Sequence, residues 1–359
     1  MPNPARYFVP FAALRRQPTI VVDSVGLGAA LTLAHWRGAA TPGPLRDDTS
    51  AGSALRALRE PETPGLEAQA VTANHFDIDG FVGVWSLLNP VLALRHEPLL
   101  RLVATLGDFR ETDLAHPLAD AALKLVCWLN AEEKARFYEP FGAPARRRRE
   151  DEASAEKFAW FLPRFADILE NPEAGRAAWE PEYARVRRAT AVAQGPATRR
   201  TDYPDVGLAI IRTPGPLPYY ALFGPTAGFD WVLSLYEGQR YELECKYTTW
   251  IDLESRPTLP RLALGPLAAR LNALETSGRA WAADGPTDTG PLLRLAGPRK
   301  LSKAQRYADP DGRPIYASSI TPEALERAVV AFFREGYAGV QPKKYWTWAE
   351  VKAVRQPLG

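Results

Sequence analysis

Three short apolar runs, each followed at once by a polar residue, constrain the fold of the first part of the chain. The runs are Thr19–Val22, Ala30–Ala34 and Ala68–Ala73, and they are followed by Asp23, His35 and Asn74. Runs of this kind are typical of parallel strands that are buried on both faces. Open α/β sheets bind their ligands at the ends of such strands. The polar residues that follow the three runs are therefore candidate site residues.

Helical patterns lie between and after these runs. They predict helices over Thr49–Arg59, after a cap at Asp47-Asp48, and over Phe81–Leu88, Leu118–Tyr138 and Lys157–Leu169. Alternation of strands and helices is typical of a layered α/β domain. The sequence thus predicts an α/β fold, with a parallel-sheet domain over residues 1–195.

The character of the chain changes after the segment Gln194–Asp205, which has no periodic pattern. We predict strands over Val206–Arg212, Tyr219–Phe223 and Asp230–Tyr236, and helices over Pro266–Glu275 and Pro322–Glu335, the last capped by Thr321. Residues 200–359 are therefore expected to form a smaller α+β accessory or substrate-binding domain with antiparallel strands.

A hairpin is predicted after Glu237-Gly238-Gln239. Tyr241, Leu243, Cys245 and Tyr247 alternate there with Glu242, Glu244 and Lys246. A period of two predicts an antiparallel strand with one buried and one solvated face.

Charge and cysteine content argue against several classes of protein, including nucleic-acid and membrane proteins and those with cysteine-based metal or redox sites. The net charge is +2, from 44 basic and 42 acidic residues, so no overall attraction to nucleic acid or membrane is expected. The run Arg146–Arg149 is followed by acidic residues, which favours a solvated segment over a phosphate site. The sequence has no secretory signal or membrane span, and Cys127 and Cys245 fit no metal or redox spacing. These features predict a cytoplasmic protein.

The segment His75-Phe76-Asp77-Ile78-Asp79-Gly80 carries the clearest chemistry. In an extended segment, alternate side chains point the same way, so the imidazole and the two carboxylates could converge on one point. Nitrogen and oxygen ligands without thiolate favour manganese, magnesium or iron. A calcium loop would require Glu at its twelfth position, where the chain has Ser86. A strand-to-helix turn capped by Asp79 is the remaining structural alternative.

This segment resembles the first motif of the DHH phosphoesterase family. The resemblance implies two manganese ions, which are held by this motif, by Asp residues at other strand ends and by a His of the Asp-His-His motif. Further short segments are similar to the family's other motifs: Val21-Val22-Asp23-Ser24, Leu33-Ala34-His35-Trp36, Asp47-Asp48-Thr49-Ser50 and Gly107-Asp108-Phe109-Arg110. Of the Asp-His-His motif only His35 matches, since Ala34 precedes it.

The resemblance covers roughly the first 110 residues, and its order differs from that of the family. The Asp23 and His35 segments precede the His75 segment, as in a circularly permuted or divergent relative. No Gly-Gly-Gly-His substrate motif follows in the second half. The chain as a whole also resembles an uncharacterised bacterial family.

The resemblance implies a metal shell of His75, Asp77, Asp79, Asp23, His35 and Asp108, with Asp77, Asp79 and His35 as catalytic residues. Each supporting residue also has a structural explanation. Asp23 could cap a turn, His35 could be a core histidine, and Asp108 could end a helix at Gly107.

The function that follows is a metal-dependent hydrolase of phosphoester or phosphoanhydride bonds, with water activated by one or two divalent ions. Manganese is the expected metal, and magnesium and iron also fit. The expected partner is a small phosphorylated molecule or nucleotide, with no membrane or nucleic-acid partner. A metal-binding or ligand-sensing protein without turnover is the alternative, because the acid before His35 is missing.

Three residues are candidates for substrate binding. Arg256 and Arg261 could clamp a phosphate bidentately, although surface salt bridges would also explain them. Ser50 lies at a helix start that could bind an anion, although helix capping alone would explain it and is the favoured interpretation.

Overall fold

A computed structural model describes residues 5–26, 28–111, 113–137, 150–287, 290–299, 301–302, 305 and 308–354. The chain divides into two compact units, Met1–Arg185 and Val186–Gly359. The division falls within one helix, Arg176–Ala193, ahead of the boundary predicted between 195 and 200. The run Arg146–Arg149 and the end of the helix predicted to reach Tyr138 lie outside the described residues.

Unit 1 contains a four-stranded, all-parallel sheet, which confirms the predicted parallel-sheet domain. Its strands are β1 (Tyr7–Phe8), β2 (Thr19–Val22), β3 (Leu31–Leu33) and β4 (Ala70–Thr72), in the order β1-β4-β2-β3. The residues of β2, β3 and β4 are buried, as expected for strands covered on both faces. β1 is short and is not evident from the sequence pattern.

Eight helices are described in or starting in unit 1. They are α1 (Ser50–Arg59), α2 (Ile78–Leu88), α3 (Pro90–Arg95), α4 (Glu97–Phe109), α5 (Ala119–Phe137), α6 (Glu150–Phe161), α7 (Phe165–Glu170) and α8 (Arg176–Ala193). The predicted helix Lys157–Leu169 is wrong in extent, since α6 ends at Phe161 and α7 begins at Phe165 beyond Pro163. The cap of α1 is Thr49, whose hydroxyl accepts the Gly52 N–H, rather than Asp47-Asp48.

Two glycines allow the helices of unit 1 to approach closely. A Cβ on Gly83 of α2 would lie 2.6 Å from Val22 Cγ1 in β2 and 3.3 Å from Ala51 Cα in α1. A Cβ on Gly107 of α4 would lie 2.4 Å from Ile78 Cγ2, at the start of α2. At distances this short, a side chain at either position would displace its neighbours. The starts of α1 and α2 and the end of α4 are consequently held together beside the end of β2.

Unit 2 contains a six-stranded mixed sheet in the order β5-β6-β7-β8-β10-β9. Its strands are β5 (Arg199–Tyr203), β6 (Leu208–Thr213), β7 (Trp231–Tyr236), β8 (Arg240–Cys245), β9 (Trp281–Ala283) and β10 (Leu292–Leu295). Only β6 and β7 pair in parallel, and the other pairs are antiparallel. The predicted antiparallel-sheet domain is therefore confirmed.

The helices whose bounds lie within the described residues of unit 2 are α9 (Tyr219–Phe223), α10 (Gly265–Asn272), α11 (Pro322–Gly336) and α12 (Trp348–Val354). The strand predicted over Tyr219–Phe223 is wrong. Parallel strands need a crossover connection, and this run lies in the crossover from β6 to β7 as a short buried helix. Five apolar residues in a row have no period that distinguishes a helix from a strand. Thr321 caps α11 as predicted.

The predicted solvated face of the β8 hairpin is also wrong. Glu242, Glu244 and Lys246 are exposed by only 2%, 7% and 2%. Arg313 Nη2 lies 2.7 Å from Glu242 Oε2, so the charge of this glutamate is paired inside unit 2. The alternating pattern predicts the strand, but it does not show that further chain covers its polar face.

Among the described residues, no helix is both long enough and apolar enough to cross a membrane.

Candidate metal centre

The polar residues after the three strands meet at one edge of the unit 1 sheet. Asp23 follows β2 directly, His35 lies two residues beyond β3, and His75 lies three residues beyond β4. Because the strands are parallel, their carboxyl ends share one edge. Helices bring three further carboxylates to this edge: Asp77 and Asp79 at the start of α2, and Asp108 near the end of α4.

An outer group consists of Asp23, His75 and Asp77. His75 Nε2 lies 3.3 Å from Asp23 Oδ2 and 2.9 Å from Asp77 Oδ2. One ligand atom from each residue lies within 4.8 Å of the others, which suits a common metal ion. The side chains of His75 and Asp77 are 24% and 36% exposed, so solvent reaches this group.

An inner group consists of Asp23, His35, Asp79 and Asp108. His35 Nε2 lies 3.4 Å from Asp23 Oδ1, 3.8 Å from Asp79 Oδ2 and 3.7 Å from Asp108 Oδ2. Asp23, His35 and Asp79 again form a group that could hold a metal ion, and all three are buried.

Asp23 belongs to both groups, and each of its oxygens faces a different one. Oδ1 lies beside His35 and Oδ2 beside His75. Its backbone is left-handed, with φ of 47°, a conformation that non-glycine residues adopt rarely and that concentrates at functional sites. A Cβ on Gly80 would lie 3.3 Å from Asp23 Cβ. Because Gly80 has no side chain, Asp23 can lie this close to the start of α2.

The convergence of the His75 segment has a different cause from the one that we predicted. The segment is not extended throughout: Asp77 is the cap of α2, and its Oδ1 accepts the Gly80 N–H at 2.7 Å. Asp79 lies in the first turn of α2 and points to the inner group, whereas His75 and Asp77 belong to the outer group. The cap is therefore Asp77, not Asp79.

Hydrogen bonds orient both imidazoles with Nε2 toward the carboxylates. His35 Nδ1 lies 2.6 Å from the backbone oxygen of Asp48, which can only accept, so Nδ1 carries the proton. His75 Nδ1 lies 2.5 Å from Asn74 Oδ1 and donates to it. Metal-binding histidines are commonly held in this way through the nitrogen that does not bind the ion.

The N-terminus of α1 holds Asp79. The backbone N–H groups of Ser50 and Ala51 each donate to one of its oxygens at 2.8 Å. The Ser50 hydroxyl donates to Asp23 Oδ1 at 2.7 Å, and Ser50 is fully buried. The prediction of Ser50 as a substrate ligand is thus corrected, because its donors are used inside the protein.

Burial and neighbouring charges shift the pKa values of the inner group. Burial raises the pKa of Asp79 to about 7 and the pKa of Asp108 well above its ordinary value. Burial opposes the charge of His35, but its hydrogen bond to Asp23 and the carboxylate of Asp108 raise its pKa well above the usual range. Burial also opposes the charge of Asp23, yet His35 lowers the pKa of that carboxyl to about 2. The cluster thus favours bound positive charge.

These residues fit a divalent cation. Asp108 Oδ2 is buried and has no hydrogen-bond partner among the described residues, which is a costly state for a carboxylate oxygen. The donor atoms are imidazole nitrogens and carboxylate oxygens, both of which are ligands of divalent metal ions in proteins. Unit 1 thus contains buried Asp and His groups that could bind a metal ion.

The arginines predicted to hold a substrate are used within unit 2. Arg256 Nη2 donates to Asp230 Oδ1 at 2.6 Å. Arg261 is only 1% exposed, and its Nε donates to Thr249 Oγ1 at 2.5 Å. A buried guanidinium that donates to its own unit is a structural group, so the substrate role of Arg261 is corrected.

Several contributors to the centre were missed at the sequence level. They are the Asp48 carbonyl, the Asn74 amide, the Ser50 hydroxyl as a support for Asp23, and Ser154 of α6, whose Oγ accepts the Phe76 N–H at 3.0 Å. Asn74 beside His75 was the available signal. The others depend on contacts between segments that are distant in sequence.

A comparison of the whole sequence with protein families finds one described as a family of unknown function (DUF6687), which matches residues 4–344. The chain belongs to this family. No curated protein and no solved structure matches it significantly. The DUF6687 match includes residues of both units but assigns no activity, so the function of this DUF6687 chain must be inferred from its site.

Proposed function

We propose that unit 1 is a metal-dependent hydrolase of phosphoester or phosphoanhydride bonds. The observation that carries this proposal is the position of Asp23 between two ligand groups, with one carboxylate oxygen beside each. Paired ion positions that share a carboxylate are a recurring feature of enzymes acting on phosphoryl groups. The substrate would be a small phosphorylated molecule or nucleotide.

The residues divide into two ligand sets. His75, Asp77 and Asp23 would hold an outer ion, and Asp23, His35, Asp79 and Asp108 would hold an inner ion. Manganese suits these donors best, with magnesium and iron as alternatives. When bound, the ions would lower the pKa of a water molecule and neutralise charge on the phosphoryl oxygens.

The resemblance to DHH phosphoesterases supports this proposal. All six residues that the resemblance implies as ligands lie in the two groups, although their order along the chain differs from that of the family. A circularly permuted relative would keep the arrangement of the ligands in space while changing this order. The missing acid before His35 does not leave the inner group without carboxylates, because Asp79 and Asp108 supply two.

The difference in exposure indicates the side from which substrate approaches. His75 and Asp77 are partly exposed, whereas the side chains of His35 and Asp79 are each 1% exposed. Substrate therefore meets the outer group first. Asp79, which is held by the N-terminus of α1 and lies beside His35, would keep its position during turnover.

A hydrolysis assay with a matched variant pair tests the proposal. Protein loaded with manganese is incubated with bis-p-nitrophenyl phosphate, pyrophosphate and short dinucleotides, and product is measured. We expect turnover by the wild type, a loss of at least about 100-fold in Asp77→Ala, and no loss in Asp167→Ala, which removes an exposed carboxylate on α7. Bound metal without hydrolysis of any of these substrates would instead support a metal-binding or ligand-sensing protein without turnover.

A further inference from the structure

Ser50 contacts three of the candidate ligands. Its hydroxyl donates to Asp23 Oδ1 at 2.7 Å, and its backbone N–H donates to Asp79 Oδ2 at 2.8 Å. Its Oγ also accepts the backbone N–H of His35 at 3.3 Å. The residue is fully buried, so these bonds do not compete with solvent.

The geometry fixes the direction of the Ser50 hydroxyl. A hydroxyl has one proton to donate, and a carboxylate can only accept. Because the His35 N–H donates to Oγ, the Ser50 proton is left for Asp23. The backbone N–H of Ser50 remains in almost any variant and can still donate to Asp79. What the serine side chain itself contributes is therefore the hydroxyl.

We propose that Ser50 is a positioning residue for the metal centre, an inference that rests on the proposed function. Its hydroxyl holds the plane of the Asp23 carboxylate so that Oδ1 serves the inner group and Oδ2 the outer group. The terminal torsion of an aspartate side chain is broad, so the plane of its carboxylate depends on its neighbours. One hydrogen bond from Ser50 occupies one lone pair of Oδ1 and leaves the other available to a cation.

Ser53 provides a matched control on the same helix. It lies one turn further along α1 and is also fully buried. Its hydroxyl has no hydrogen-bond partner among the residues that the structure describes. Ser50→Ala and Ser53→Ala thus remove the same atom from the same helix, but only the first removes bonds to candidate ligands, one donated to Asp23 and one accepted from the backbone of His35.

Manganese binding distinguishes these two variants. The full chain is stripped of metal and titrated with Mn²⁺ by calorimetry, and the loaded protein is studied by electron paramagnetic resonance. We expect the wild type and Ser53→Ala to bind two ions with an exchange-coupled signal. In Ser50→Ala we expect affinity to fall by about 10- to 100-fold and the coupled signal to weaken, as is typical when a group that orients a ligand is lost.

Two further variants at position 50 distinguish the loss of the hydroxyl from a general folding defect. Ser50→Thr keeps a hydroxyl and should restore the coupled signal, whereas Ser50→Cys keeps the size but offers a weak donor and should behave like Ser50→Ala. Unchanged affinity and coupling in Ser50→Ala and Ser50→Cys would overturn the inference alone. A coupled ion pair without hydrolysis would overturn only the proposed activity, and a wild type that binds no ion would overturn both.

Discussion

The carboxylate of Asp79 lies on the N-terminus of α1, with Oδ2 2.8 Å from the backbone nitrogen of Ser50. A helix N-terminus attracts negative charge, and here a side chain from α2 takes the place that a bound anion could occupy. The same contact directs Asp79 to His35. Helix packing and the metal centre therefore depend on each other.

The stability of the metal-free protein should depend on pH. The pKa of Asp79 is raised from 3.8 to about 7, and the pKa values of Asp108 and His35 are also raised. A group with a raised pKa stabilises the fold below its unfolded pKa and loses that contribution as pH rises through the folded pKa. We expect the melting temperature in EDTA to fall from pH 5 to pH 8. The lowered pKa of Asp23 makes stability rise with pH, but only between its folded pKa of about 2 and its ordinary value of 3.8, which lies below this range.

Manganese should reverse this trend, because its ligands must be deprotonated and binding strengthens as pH rises. Thermal melting at pH 5 and pH 8, with and without Mn²⁺, measures both effects. A metal-free melting temperature that rises steadily from pH 5 to pH 8 would contradict the account of the inner group.

Asp108→Asn should weaken stabilisation by metal. At about 100 times the dissociation constant, an ion that binds only the folded state stabilises it by about 2.7 kcal/mol. The variant removes a carboxylate whose Oδ2 lies buried beside His35, so a larger Mn²⁺ concentration should be needed for the same shift in melting temperature. Asp167→Asn is the control, and equal shifts in both variants would exclude Asp108 from the shell.

Gly83→Ala should destabilise unit 1 by about 1–3 kcal/mol, because the new methyl group would overpack the contact with Val22 and Ala51. Gly43→Ala is the control, since a Cβ there meets no atom within 4 Å. Urea unfolding followed by circular dichroism gives both values. Equal free energies of unfolding in the two variants would show that the helices do not depend on this close approach.

Glu242→Ala should destabilise unit 2 by up to about 3–5 kcal/mol, since it removes the carboxylate nearest to the buried Arg313 and leaves Glu244 Oε2, 3.8 Å away, to balance that charge. Both residues lie outside the metal groups, so manganese binding by the folded variant should equal that of the wild type. Chemical unfolding and manganese calorimetry on the same samples test the two statements separately. The double variant Glu242→Leu with Arg313→Met should recover part of the lost stability.

The sequence predicts β2, β3 and β4 of unit 1 because each is short, apolar and ended by a polar residue, whereas the two residues of β1 carry no such pattern. The same feature indicated Asp23 and His35, since parallel strands share an edge. It could not indicate that Asp79 is held by α1, because that bond joins residues far apart in the chain. The sequence also could not predict that the polar face of β8 is buried, since alternation shows the type of each side chain but not whether another segment covers that face. The sequence also predicts a substrate role for Arg261, because the type of a residue does not show that its side chain is buried.

Metal content of the purified protein tests the central claim most directly. The wild type and Asp23→Ala are incubated with Mn²⁺, passed through a desalting column and measured by plasma mass spectrometry. Since Asp23 is common to both groups, we predict up to two equivalents in the wild type and a loss from both positions in the variant. A wild type that retains no manganese, magnesium or iron, or an Asp23→Ala variant that retains as much as the wild type, would contradict the account.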